Sequence, residues 1–282
     1  KPTIIAWLKQ SEYLENRGWQ SGTKRVHTAD EETRIVELKK KRREQKCFFH
    51  GAPYLRMDYD KKYPDAPLPS LWFFQDVLRR HGLQTHEPKK RKKGQNIVSR
   101  LLFPIKSIVT LGRIHQSFDF IGKKFIAGRR EPISIFSSSY YQWFALYQIR
   151  RVLAETAESA LASLDAWWRK YPLPDVGRTD NGMTFRGTGH AQGRIGKFVI
   201  ALLNHNIIPL FSAAYQSYTN PHVEGHNRTF TEKLWTKYHF QTLEEIDEQC
   251  ARFNSESQEF YEYNFKERLL DARLRYLPGN AS

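Results

Sequence analysis

Cysteine is nearly missing from this chain. Among 282 residues only Cys47 and Cys250 carry thiols, and their wide separation excludes a disulfide framework and a four-cysteine zinc site. A reducing, intracellular setting is expected. Long apolar runs are missing as well, and the opening Lys1-Pro2-Thr3 has no signal-peptide pattern, so no membrane segment is expected. The chain opens without an initiator Met, as a fragment would. The third shortage is acid: 30 Asp and Glu face 45 Lys and Arg, a formal charge of +15. That balance suits a polyanionic partner, because Lys and Arg gain affinity by displacing counterions from phosphates; an anionic membrane surface or plain solubility are the alternatives. What the chain has in quantity is apolar bulk. Hydrophobic residues make up 40%, with 18 Phe, 14 Tyr and 7 Trp, enough to fill the core of one large domain or two smaller ones.

The front of the chain reads as helices. Ile4, Ile5, Trp7, Leu8 and Leu14 have loosely helical spacing up to Gly18, as the end of a first helical DNA-binding module (1–27) or a plain core helix. Thr28-x-x-Glu31 is a capping box before Ile35, Val36 and Leu38 and predicts a helix to about residue 45. Gly51 opens a second helix through Tyr63 carrying Tyr54, Leu55 and Met57, stopped by Pro64. Ser70 caps a third, with Leu71, Phe74, Val77 and Leu78 facing inward and Arg79, Arg80 and His81 at its end before Gly82. Three short helices over 28–87 suit a helix-turn-helix with Arg79 and Arg80 toward DNA, or a three-helix protein-interaction module. Lys89, Lys90, Arg91, Lys92 and Lys93 lie in a linker (88–106), as solvated surface or as a phosphate-tracking run.

From Ile105 to Tyr147 the pattern turns to short alternations with β-branched and aromatic residues, read as three consecutive strands with Asp119 on the first. Residues 152 to 170 read as a helix carrying Val152, Leu153, Ala157, Leu161, Leu164 and Trp168. A short strand from Asp175 to Thr179 then delivers Asp180 to an Asn-Gly turn. Residues 186 to 196 are too Gly-rich for regular structure and read as an insertion, with Arg186, His190 and Arg194 on a surface loop. A short helix from Phe198 to Leu203 and a strand from Ile207 to Ser212 follow. Asn220 caps a helix with Pro221 in its first turn and Glu224 one turn in. Thr242 starts a last helix, through about Tyr263, with Leu243, Ile246, Cys250 and Phe253 on one stripe. Residues 268 to 282 read as a basic, extended tail, within a C-terminal segment of 241–282.

Three carboxylates on separate elements can hold divalent metal, and a lone Asp in the run Phe118-Asp119-Phe120-Ile121 is costly unless it is compensated. The ordinary alternatives are a surface ion pair for Asp119 and an exposed pair with Arg228 for Glu224. Asp119 on an apolar strand, Thr179-Asp180-Asn181-Gly182, and Asn220-Pro221-x-x-Glu224 with Arg228-Thr229 together resemble the retroviral-integrase-like transposases of bacterial insertion sequences. The resemblance covers residues 28 to 240 best.

That resemblance implies an α-helical helix-turn-helix region followed by a ribonuclease H-like core (107–240), a mixed five-stranded sheet flanked by helices. It implies a metal-dependent DNA transposase or integrase that frees a 3′ hydroxyl at an element end and joins it to target DNA. Asp119, Asp180 and Glu224 would be catalytic and would hold two Mg2+ or Mn2+ ions. The implied partners are double-stranded DNA, at terminal repeats and target, and further copies of the chain as a dimer or tetramer, in a bacterial cytoplasm at the nucleoid. Candidate DNA contacts are Tyr215, Gln216 and Asn220 in and beside the loop before the Glu224 helix, with Arg228 and Lys233 further along it. Two departures stand out. Gly225 and His226 replace the usual Arg and aromatic residue after the Glu, and Ser137-Ser138-Ser139-Tyr140 lacks the acids often found there. A non-catalytic DNA-binding regulator with the same core, or a ribonuclease H-type nuclease, would share much of the pattern.

Overall fold

The structure is a computed structural model that describes residues 27–84, 113–143, 146–187, 195–212 and 220–274. The predicted helix at 3–15, the run Lys89 to Lys93, and Tyr215 and Gln216 lie outside the described residues, as do His190, Arg194 and residues 275–282.

The front helices form where their caps place them. In α1 (Ala29–Glu44) the Thr28 hydroxyl accepts from the Glu31 amide while the Glu31 carboxylate accepts from the Thr28 amide, and acids begin the helix while bases end it, as the helix dipole favours. Helix α2 (Ala52–Lys62) ends at Tyr63, just before Pro64. Helix α3 (Leu71–Arg80) is capped by Ser70, whose hydroxyl accepts from the Phe73 amide. Its inward stripe is Phe73, Phe74, Val77 and Leu78. Leu71, expected inside, is the helix's first residue and stays 40% exposed.

Strands β1 (His115–Lys124), β2 (Ile133–Tyr140) and β3 (Tyr147–Val152) form an antiparallel meander. Helix α4 (Ala157–Trp168) then returns the chain so that β4 (Val176–Thr179) lies parallel beside β1, and β5 (Ile208–Phe211) lies parallel beside β4. The sheet order β3-β2-β1-β4-β5 is the mixed five-stranded, ribonuclease H-like arrangement. The expected helix from residue 152 starts later, because Val152 still pairs with Ser134 in the sheet and Thr156 is the cap that opens α4. Leu153, placed on the helical stripe by spacing, is 94% exposed in the connection.

Each face of the sheet carries its own layer. On one side α4, the short α5 (Met183–Arg186) and α6 (Lys197–Asn204) bury Phe118, Phe136, Leu164, Phe185, Phe198, Leu202 and Ile207. Gly177 is required there, since a Cβ would stand 2.7 Å from the Phe118 ring and 3.2 Å from Leu202 and Ile207. On the other side lie α7 (Pro221–Phe230), which runs on into a π-helical turn at Thr231–Trp235, and α8 (Leu243–Leu274). Ile121, Ile135, Tyr147 and Ile149 pack there against Phe230, Leu234, Ile246 and Phe253. The last helix is longer than expected: it continues past Tyr263, bends at the non-helical Phe265 and reaches Leu274, so residues 268–274 are helical rather than extended.

The front helices are strapped to this second layer. Phe48 and Phe49, between α1 and α2, belong to its apolar cluster. Their amides donate to the Glu256 carboxylate at 3.2 and 3.1 Å. The carbonyls around them accept from cations: Gln45 and Lys46 from Arg252, Phe48 from Lys233, Phe49 from Arg42, and His50 from Lys39. A loop that would otherwise bury its backbone unpaired is satisfied from several elements at once.

Candidate metal centre

Register carries Asp119 and Asp180 to one end of the sheet. Ser117 of β1 lies beside Arg178 of the parallel β4, so Asp180 emerges next to Asp119. Alternation aims Asp119 toward α7, because Phe118 packs on the α4 and α6 side and Ile121 on the α7 and α8 side. Asp180 is exposed, directly after β4, and its Oδ1 accepts from the Gly182 amide at 2.9 Å, the turn that the Asp-Asn-Gly sequence predicts. Asn181 steadies this turn by donating to the Ser212 carbonyl at 2.5 Å. Glu224 lies in the first turn of α7, over the same strand ends.

Asp119 feels the other two carboxylates. Burial, then the charges of Asp180 and Glu224, push the Asp119 carboxyl up to about 7, against hydrogen bonds from the Phe120 backbone and Asn227 that favour ionisation. Burial alone raises Glu224. Among the described residues Glu224 forms no ion pair, so the plain surface pair with Arg228 is not made; Arg228 stays exposed. Asn227, one turn after Glu224, donates to Asp119 Oδ2 at 2.8 Å. Sequence reading passed over it, although its i+3 spacing from Glu224 puts both on one helix face.

As a donor set for metal, the site offers three hard carboxylates and no thiol, the chemistry that Mg2+ and Mn2+ take. Crowded like charges that hold a proton near neutrality are what a bound dication would relieve. Among the described residues, however, no three His, Cys, Asp or Glu side chains stand close enough to close on a single ion. In this geometry the Asn227 amide occupies one Asp119 oxygen.

The candidate DNA contacts divide. Arg79 bonds Asp76, and Arg80 bonds both Asp76 and Glu32, so acid accompanies the charge at the end of α3. Hydrogen bonds from Arg79 hold Asp76, and from Arg80 hold Glu32, below the usual carboxylate range. Asn220 is the N-cap residue but its side chain makes no cap bond; it is buried, and its Oδ1 finds no partner among the described residues. Lys233 turns inward to Phe48 and lies 4.2 Å from the Phe49 ring centre. His226, at a position where the resemblance leads one to expect an aromatic ring, stacks on Tyr147 with centroids 4.4 Å apart.

No family model matches the chain, and no curated protein matches it. Solved structures similar to it include the HTLV-2 integrase catalytic core domain in complex with magnesium, 13% identical, covering 48% of this chain and 80% of that one with a TM-score of 0.35. The catalytic core domain of BIV integrase is 14% identical over 58% of this chain and 98% of that one, TM-score 0.36. The simian T-cell lymphotropic virus intasome structure is 12% identical over 77% of this chain and 65% of that one, TM-score 0.41. At these identities and TM-scores the likeness assigns no role to any residue of this chain.

Proposed function

We propose that this protein is a DNA transposase or integrase that cleaves at DNA 3′ ends and joins them to target DNA. The observation that carries the reading is that Asp119, Asp180 and Glu224 come from separate elements on one side of the sheet, where burial first, and then the charges of Asp180 and Glu224, raise the Asp119 carboxyl to about 7. Asp119, Asp180 and Glu224 would hold two Mg2+ or Mn2+ ions, which when bound activate the attacking oxygen and stabilise the leaving oxygen at phosphorus. The residues' own part is to present carboxylate oxygens from rigid strand and helix ends and to keep Asn227 on Asp119 until the site is filled. The net charge of +15 favours the phosphate backbone as partner. Paired-end joining would call for a dimer or tetramer on DNA.

The test is a strand-transfer assay on duplex end DNA with Mn2+ or Mg2+ as the only divalent ion. Glu224→Gln should remove joined products by more than about a thousandfold while leaving DNA binding intact, as expected when a group needed in the transition state is lost. Equal binding by both proteins with no cleavage by either would favour a DNA-binding regulator instead, a reading supported by the open spacing of the three acids.

A further inference from the structure

Helix α7 is weak by its own sequence. It has 10 residues, an N-cap side chain that makes no cap bond, and Gly225 in its interior, where an added Cβ would meet nothing. Isolated helices of this length are marginal, so its position must come from what it packs on. Glu224 and Asn227 both hang from its first two turns.

Beneath that first turn the sheet presents an unusual floor. Register places Ser139, Ser117 and Arg178 in one row across β2, β1 and β4, on the face toward α7, one pleat from the row of Ser137 and Asp119. The serines are small and buried, which leaves room for a whole guanidinium group: Arg178 is 1% exposed and among the largest fully buried side chains of the protein. At the edge of this floor three rings run from strand to helix, the first pair stacked and the second edge-on. His115, at the start of β1, lies 5.9 Å from Tyr141, and Tyr141 lies 4.2 Å from His222 in the first turn of α7. Tyr141 is itself fixed to β1, its amide donating to the His115 carbonyl at 2.9 Å. Neither ring nitrogen of the buried His115 has a hydrogen-bond partner among the described residues, so packing holds it. Burial first, and after it the Arg178 charge, lowers His115.

We infer that Arg178 and the ring chain His115–Tyr141–His222 are the anchor that positions the first turn of α7, and through it Glu224 and Asn227, over Asp119. None of the four needs to touch substrate; they are positioning residues. The consequence for chemistry rests on the proposed function, but the anchoring itself does not.

The experiment uses Tyr141→Leu, which breaks the ring chain, Tyr141→Phe, which keeps the ring, and Arg178→Met. Amide hydrogen exchange on the metal-free protein is expected to speed up by about tenfold or more at residues 222–228 in Tyr141→Leu and Arg178→Met, with α8 and the central strands unchanged and Tyr141→Phe like the parent. With Mn2+ and DNA, Tyr141→Leu should lower kcat while KM for DNA stays constant. Uniform acceleration across the molecule, or none in α7, would overturn the anchor. If the exchange result holds while the parent protein neither cleaves nor joins DNA, the anchor stands and the transposase reading falls.

Discussion

Asp119 ties stability to pH at a single residue. Its folded value of about 7 lies above the ordinary 3.8, so protonation favours the fold. That contribution is complete below about pH 4 and is lost as pH rises through 7. The metal-free protein should therefore lose thermal stability across this window, and Asp119→Asn should flatten the profile and raise the melting midpoint at pH 7 by roughly 2–4 °C, measured by calorimetry without divalent ions. Gly225 offers a second test. It is helical, with open space where a Cβ would go, so Gly225→Ala should stabilise the protein by about 0.5–1 kcal/mol in urea titration. The placement of the acids on a strand, a turn and a helix was legible in the sequence because turn and cap chemistry surrounds two of them and an apolar strand surrounds the third. Asn227 and Arg178 were not, because their roles depend on pairing between strands and on a helix laid across them.

Among the elements, β3 shows how an open sheet edge is closed. Asn254 of α8 donates to the Ile149 carbonyl and accepts from the Ile149 amide, at 2.8 and 2.9 Å, mimicking one more strand. Asn254→Ala should cost about 1–3 kcal/mol, the penalty of stranding buried backbone groups, and should raise exchange at Ile149 first. Helix α8 was readable from its stripe, yet its continuation through the bend at Phe265 was not, since the basic composition after Tyr263 suits a tail equally well. The late start of α4 has a similar cause: Val152 and Leu153 fit a helical period, but strand pairing claimed Val152 and the Thr156 cap decided where the helix begins.

Across the described residues, cations also serve structure. Lys39 is fully buried with its ammonium on the His50 ring and carbonyl, and burial lowers both Lys39 and Lys233 to about 8. Their folded values lie below the ordinary 10.5, so the fold is favoured by proton release. The stability this adds is complete above about pH 10.5 and is lost as pH falls through 8, so the pair should make stability rise between those values; a double Lys39→Met and Lys233→Met variant should lose that rise in a urea series across pH 8 to 10. The sequence placed Lys233 toward DNA and gave no signal for Lys39, since burial of either depends on the loop at residues 45–50 folding over it. The strap at residues 45–50 has a mechanical consequence. With its amides on Glu256 and its carbonyls on Arg42, Lys39, Arg252 and Lys233, the loop works like the rivet of a caliper: one jaw is the three front helices, the other the sheet with its acids. A tilt of either jaw would be transmitted to the other through these bonds, so the front helices and the acid-bearing sheet keep one fixed angle.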